Sequence, residues 1–246
     1  MKPYQAIPIA DCGEPLVPIP LDQFSVEHPH AYLKLGAPYG HYSPYYLRQG
    51  VLDNLLIAQT QLQANHPGWQ IQIFDAYRPL AVQQFMVDYT FNQLVKSQGL
   101  AIEHLTAVER QVIWQQVHQF WAVPSTDATT PSPHSTGAAV DVTLVDAAGQ
   151  ICAMGSPIDE ISPRSYPQYF SQSTHPLAQQ FHRHRLLLAN IMHAAGFKQH
   201  PHEWWHFSYG DQMWAWLLRQ EQMEAHPAVA RYGAVLMETP GLQHNH

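Results

Sequence analysis

The chain has 246 residues, with 12 Lys and Arg against 19 Asp and Glu, a formal charge of −7. That balance, without a basic run, excludes a nucleic-acid surface, which must neutralise phosphates, and 46% apolar residues exclude disorder. Only 13% of residues are charged while His numbers 17, so metal-like His spacings arise by chance and need further support. A chain of roughly 250 residues fits one hydrophobic core. Residues 1–246 are expected to form a single domain, with a Pro-rich arm over 1–30 and an irregular tail over 232–246. The start lacks the apolar run of a secretory signal, and no segment reaches the ~18–20 apolar residues of a membrane span. Cys12 and Cys152 lie outside any C-x-x-C motif and are read as structural or incidental. A cytoplasmic location, with no membrane partner, is the expectation.

In chain order, the aperiodic arm is expected to drape over the domain. Residues 51–64 carry Val51, Leu52, Leu55, Leu56, Ala58 and Leu62 at helical spacing, ended by Asn65-His66-Pro67-Gly68. Residues 69–74 alternate with period two and predict a strand. Pro79 suits the first turn of a helix through Phe85. Residues 103–121 predict a helix with Val108, Val112, Ile113, Val117 and Phe120 on one side, and 122–133 read as a loop. Residues 138–145 are β-rich, with Gly149 at a hairpin turn. Residues 177–195 predict a long amphipathic helix closed by Gly196. Residues 197–199 and 204–209 predict two strands around a His-Pro-His turn, and 211–219 a short Trp-rich helix. Helices interleaved with short hairpin-like strands indicate an α+β fold, a small mainly antiparallel sheet flanked by helices.

Three segments carry chemistry. In Ser132-Pro-His134-Ser-Thr-Gly137-Ala-Ala-Val-Asp141, an imidazole at a loop end and a carboxylate seven residues on, within a strand, can converge on one divalent ion. Alone, the segment reads equally as a loop His and a solvent-facing Asp. In His202-Glu203-Trp204-Trp205-His206, a carboxylate between aromatic walls has the environment of a general base. In a flat strand Glu203 and His206 point to opposite faces, so they share a site only if the strand is bulged or begins between them. An ordinary aromatic core strand with one satisfied His is the alternative. In Asp75-Ala-Tyr77-Arg78-Pro79, a strand-end Arg offers a fixed cation to an oxyanion, or pairs structurally with Asp75. Together they give two His, one Asp, a spare Glu and an Arg. Three protein ligands plus an open position is the pattern of a catalytic zinc site.

S-x-H-x-x-G-x-A-x-D and E-x-W-H, with Asp-x-Tyr-Arg-Pro upstream, resemble the zinc D-Ala-D-Ala dipeptidases of the vancomycin-resistance type. These belong to the M15 metallopeptidases, which share a fold with the hedgehog amino-terminal domain. The match runs in order and spacing over about 47–218. The resemblance implies one Zn²⁺ per chain held by His134, Asp141 and His206, with Glu203 as catalytic base and Arg78 stabilising the tetrahedral intermediate. Met154-Gly155-Ser156 followed by Asp159 matches the dipeptidase branch, so Asp159 is implied to bind the substrate ammonium. Ser132 is implied to meet the substrate carboxylate and Tyr32 to help bind the amino end. The segment after Tyr32, GAPYGHYSPYY over 36–46, departs from the family pattern. The implied reaction is hydrolysis of D-alanyl-D-alanine, a small dipeptide, to two D-Ala. The related alternatives are an M15 D,D-carboxypeptidase or endopeptidase on cell-wall peptides, and a non-catalytic zinc-binding domain like hedgehog. Among the remaining histidines, His182 and His184, alternating with Arg183 and Arg185, are expected on a solvated helix face. His200 and His202 are read as turn residues or outer donors to the site, and His244 and His246 as a frayed tail.

Overall fold

A computed structural model describes residues 2–222 and 228–235. In chain order its strands are β1 (Leu16–Pro18), β2 (Ser25–Val26), β3 (Tyr46–Arg48), β4 (Gln70–Asp75), β5 (Ala139–Val145), β6 (Lys198–Gln199) and β7 (His206–Ser208). Its helices are α1 (Ala31–Lys34), α2 (Gln49–Asn65), α3 (Leu80–Ser97), α4 (Ala107–Phe120), α5 (Pro176–Ala194) and α6 (Gln212–Gln222). The main sheet has the order β2-β4-β5-β7-β6, and β1 pairs with β3 beside it. Only β2–β4 is parallel; β4–β5, β5–β7 and β7–β6 are antiparallel. This is the small, mainly antiparallel α+β sheet expected from the sequence.

β5 is the central strand and is buried along its whole length. Its side chains alternate between faces, as period two requires. Val140, Val142 and Leu144 enter a core with Leu55 and Leu62 of α2 and Leu188 and Met192 of α5. Asp141 lies on the other face. A second apolar cluster joins Val82, Met86, Val87, Phe91 and Val95 of α3 to Ile113 and Val117 of α4, with Tyr32 and Trp121. The site described below lies where these two clusters meet.

Several elements differ from expectation. The helix expected to stop at Phe85 runs on to Ser97, because Met86, Val87, Phe91 and Val95 prolong its apolar stripe against α4. The next helix starts at Ala107 rather than Glu103. Thr106 accepts from the Glu109 amide at 3.2 Å, and Glu109 accepts from the Thr106 amide at 2.8 Å. That reciprocal cap fixes the start, and Ile102–His104 form a separate single turn. Of its expected apolar face, Ile113 and Val117 are buried, whereas Val108 is 72% exposed. The strand expected over 204–209 is confined to His206–Ser208. The arm contributes two strands and a one-turn helix, Pro3–Ala6. Gln212 of α6 donates to the carbonyls of Ile7 at 2.7 Å and Thr129 at 2.9 Å, which ties the arm to α6 and to the loop before Ser132. Cys12 and Cys152 are free thiols. No described helix is long and apolar enough to cross a membrane. His244, His246 and most of the expected tail lie outside the described residues.

Candidate metal centre and active site

The sheet register builds the site. Asp75 of β4 stands opposite Asp141 of β5, and Asp141 stands opposite His206 of β7, a row across three adjacent strands. A register shift between Ile73 and Asp75 aims Asp75 into this row. His134 enters from the Pro133–Thr136 turn, which Gly137 closes at φ 69°. A Cβ at Gly137 would stand 2.4 Å from Leu16 Cδ2, so the turn requires glycine both for its left-handed φ and for the contact.

The donor chemistry of His134, Asp141 and His206 fits a cation. His134 Nδ1 donates to the Ala76 carbonyl at 2.7 Å, which turns Nε2 inward. Ser208 Oγ donates to Asp211 Oδ2 at 2.9 Å and stands 3.5 Å from His206 Nε2. His206 therefore carries its proton on Nε2 and turns the Nδ1 lone pair inward. The two inward nitrogens are 3.1 Å apart, His206 Nδ1 is 3.0 Å from Asp141 Oδ1, and His134 Nε2 is 3.3 Å from Asp141 Oδ2. With His134 Nδ1 turned to the Ala76 carbonyl and His206 Nε2 toward Ser208, the two inward nitrogens and the carboxylate converge on a point that one positive ion can occupy. Tetrahedral ligands at ~2.0 Å from zinc stand roughly 3.3 Å apart, which matches these separations. All three side chains are buried. Burial pushes the Asp141 carboxyl up, but His134 and His206 outweigh it and hold the group far below the usual carboxylate range. The Ala76 carbonyl and the Ser208–Asp211 pair are outer partners of the kind that fix ligand tautomers.

Glu203 precedes β7, in the turn that follows His200. The strand begins between Glu203 and His206, so both face one cavity. Glu203 Oε2 is 3.8 Å from His206 Nδ1, and Oε1 is 3.7 Å from His200 Nδ1. Burial, then the negative charge of Asp141, push Glu203 well above the ordinary carboxylate range, and Lys2 opposes that shift. His200 is thus a neighbour of Glu203, whereas His202 stacks on Tyr166 with ring centroids 4.9 Å apart.

Arg78 is fully engaged. Its Nε donates to Asp75 Oδ2 at 2.8 Å, Nη1 to Gln83 Oε1 at 2.9 Å, and Nη2 approaches Tyr32 Oη at 3.3 Å and Asp141 Oδ2 at 3.4 Å. The guanidinium also lies over the rings of Trp121 and Tyr32, at 4.9 and 5.2 Å. The pairing with Asp75 and a place on the cavity wall hold together. Asp75 is 0% exposed, accepts from Tyr39 Oη at 3.1 Å and faces His30. The divergent 36–46 segment therefore supports Asp75 from behind, and none of its residues is on the cavity wall.

Asp159 sits at φ 65°, a left-handed conformation that few non-glycine residues adopt. It accepts from Tyr32 Oη at 2.7 Å, so Tyr32 reaches the site through Asp159. Burial and the nearby Asp141 push the Asp159 carboxyl up to about 7, against the pull of Arg78. The preceding Met-Gly-Ser is a structural clamp. Gly155 leaves no room for a Cβ beside Phe170, and Ser156 Oγ accepts from Trp204 Nε1 at 2.9 Å and Arg185 Nη2 at 3.1 Å. Arg185, expected on a solvated face, is instead 2% exposed and also donates to the Met154, Tyr166 and Arg164 carbonyls. Charge alternation on the helix gave no hint of this, because the partners are carbonyls of a distant loop.

The metal-binding row, Glu203, Arg78 and Asp159 open onto one narrow cavity of about 40 Å³. Its wall includes Arg78, Ser132, His134, Asp141, Asp159, Glu203 and His206, and also Lys2 and Tyr4 of the arm. Ser132 Oγ is buried without a partner among the described residues.

The D-ala-D-ala dipeptidase family of M15 peptidases matches residues 26–228. The chain belongs to this family. A D-alanyl-D-alanine dipeptidase of Synechocystis sp. is 50% identical over 242 residues, covering 96% of this chain and 97% of the relative. The Escherichia coli K12 D-alanyl-D-alanine dipeptidase is 35% identical over 140 residues, 57% of this chain and 55% of its own length. Among solved structures, the vancomycin-resistance D,D-pentapeptidase VanY in complex with Zn(II) is similar at 18% identity and a TM-score of 0.44, covering 89% of this chain and 95% of VanY. As a member of the dipeptidase family, this chain is a peptidase.

Proposed function

We propose that this M15 dipeptidase hydrolyses D-alanyl-D-alanine to two D-alanines, with one zinc ion held by His134, Asp141 and His206. The observation that carries the reading is the cavity whose wall holds a further, half-buried carboxylate, Asp159, besides the three inward-facing ligand atoms and Glu203. A carboxylate there suits the free ammonium of a dipeptide and blocks the continuing chain of a longer peptide. When bound, zinc supplies Lewis acidity toward the scissile carbonyl and toward water.

The protein's own groups do the rest. Glu203, whose affinity for protons is raised by burial, takes a proton from the attacking water at one carboxylate oxygen and returns it to the leaving amine. Arg78, held rigid by Asp75 and Gln83, presents fixed positive charge to the developing oxyanion without reorganising. Asp159, oriented by the Tyr32 hydroxyl, binds the ammonium. Ser132, with a buried and unpartnered hydroxyl, donates to the carboxylate. We read residues 1–246 as one catalytic domain, since the arm supplies a strand of the central sheet. The exposed free thiol of Cys12 suits a reducing compartment, and we place the activity in the cytoplasm.

The test is hydrolysis by zinc-loaded protein of all four Ala-Ala stereoisomers beside a longer D-Ala-terminated peptide. Cleavage confined to the free D,D-dipeptide is expected. Release of D-Ala from the longer peptide without action on the dipeptide would make the protein a D,D-carboxypeptidase. Bound zinc without hydrolysis of any substrate would make it a non-catalytic domain.

A further inference from the structure

The dipeptide is a zwitterion, and its carboxylate must leave water to enter the cavity. A desolvated carboxylate needs a positive partner. Two Lys or Arg side chains line the cavity, Arg78 and Lys2. Arg78 cannot serve both ends of the substrate, because Asp75, Gln83, Tyr32 and Asp141 fix its planar fork on the sheet side. Lys2 Nζ has no hydrogen-bond or ion-pair partner among the described residues. Gln212 clamps together the arm that carries Lys2 and the loop that leads to Ser132, through the carbonyls of Ile7 and Thr129. Lys2 and the unpartnered Ser132 hydroxyl both line this cavity. Burial works against the Lys2 charge, and the negative charge of Glu203 supports it.

We propose that Lys2, on the N-terminal arm, is the counter-charge for the substrate's C-terminal carboxylate, acting beside Ser132. The assignment rests on the dipeptidase reading and adds a binding residue outside the stretch matched by the family, 26–228. It makes the arm a wall of the carboxylate subsite rather than a wrapping. Tyr4, on the same turn and also on the cavity wall, keeps its proton because burial raises its hydroxyl, so it remains a donor there.

The experiment compares zinc-loaded wild type, Lys2→Met and Lys2→Arg on D-Ala-D-Ala and on its C-terminal amide, reading KM for each, or Ki where the amide is not cleaved. Lys2→Met is expected to raise KM for the acid about tenfold to a hundredfold, the range for a hydrogen bond to a charged group. Lys2→Arg should recover most of that loss, and the amide should bind all three proteins alike. An unchanged KM for the acid in Lys2→Met, or an equal loss on acid and amide, would overturn the assignment; the second result would place Lys2 on Glu203 instead. Wild-type protein that cleaves no Ala-Ala stereoisomer would overturn the dipeptidase reading itself, a distinct outcome.

Discussion

Replacing Arg78 by Met separates what this residue does for folding from what it does for catalysis. Arg78 Nη2 lies 2.6 Å from Asp75 Oδ2, and both groups are buried. At an effective dielectric of about 20, that attraction is roughly 6 kcal/mol. Desolvation of the two ions offsets much of it, and removing one partner of a buried pair costs about 3–5 kcal/mol. Asp75 still accepts from Tyr39 and faces His30 at 3.4 Å, so the lower end, about 3 kcal/mol, is expected. For a chain of this size that lowers Tm by about 6–12 °C. Adding Asp75→Asn removes the orphaned charge and should restore stability to within about 1 kcal/mol of wild type. Hydrolysis should not return, because the cation facing the oxyanion is still missing; a loss of about 10²–10³ in kcat is expected in both variants. The assays are thermal unfolding and steady-state hydrolysis of D-Ala-D-Ala by the zinc-loaded proteins. Recovery of hydrolysis in the double variant would refute the catalytic role, and an unchanged Tm in Arg78→Met would refute the charge-pair argument.

Glu203→Gln should keep zinc while losing about 10²–10⁴ in kcat, the usual contribution of a general base; near wild-type turnover would remove Glu203 from that role. His206→Ala should lose zinc after dialysis, read by metal analysis, whereas Ser208→Ala should only weaken zinc affinity, about 10- to 100-fold, by releasing the outer nitrogen of His206. In the proposed role Asp159 meets the substrate ammonium only when ionised, and its carboxyl is pushed up to about 7. Acid therefore removes the counter-charge, and KM for D-Ala-D-Ala should rise as pH falls through the neutral range, while deprotonation of the substrate amine near ~8 limits binding on the alkaline side. A KM flat from pH 5 to about 7 would contradict this.

The parts of the molecule governed by local periodicity were legible in the sequence. The 51–64 stripe and the 138–145 β-rich run became α2 and β5, and Gly196 closes the long helix α5. The three chemical segments could be found because their residue types and spacing are unusual in a chain so poor in charge. What escaped depends on distant partners. β1 and β2 are three and two residues long and exist only through pairing with β3 and β4. Arg185 reads as a surface residue until the 154–166 loop folds over it. Lys2 lies in an aperiodic arm, and nothing local distinguishes it from a solvated lysine. Asp75 was visible as a partner for Arg78, but its register opposite Asp141 is a property of the sheet.

The seam between the two apolar clusters has a consequence for how such an enzyme can change. The metal-binding row is anchored in the sheet and its α2–α5 backing. The groups that cradle Arg78 and Asp159, namely Tyr32 and Trp121, belong to the α3–α4 layer. The metal-binding row and the aromatic backing of Arg78 are therefore inherited from separate halves of the interior. Repacking the α3–α4 layer can retune which small zwitterion is accepted while the ion-binding row stays intact. A bound dipeptide, touching both halves, would act as a strut between them.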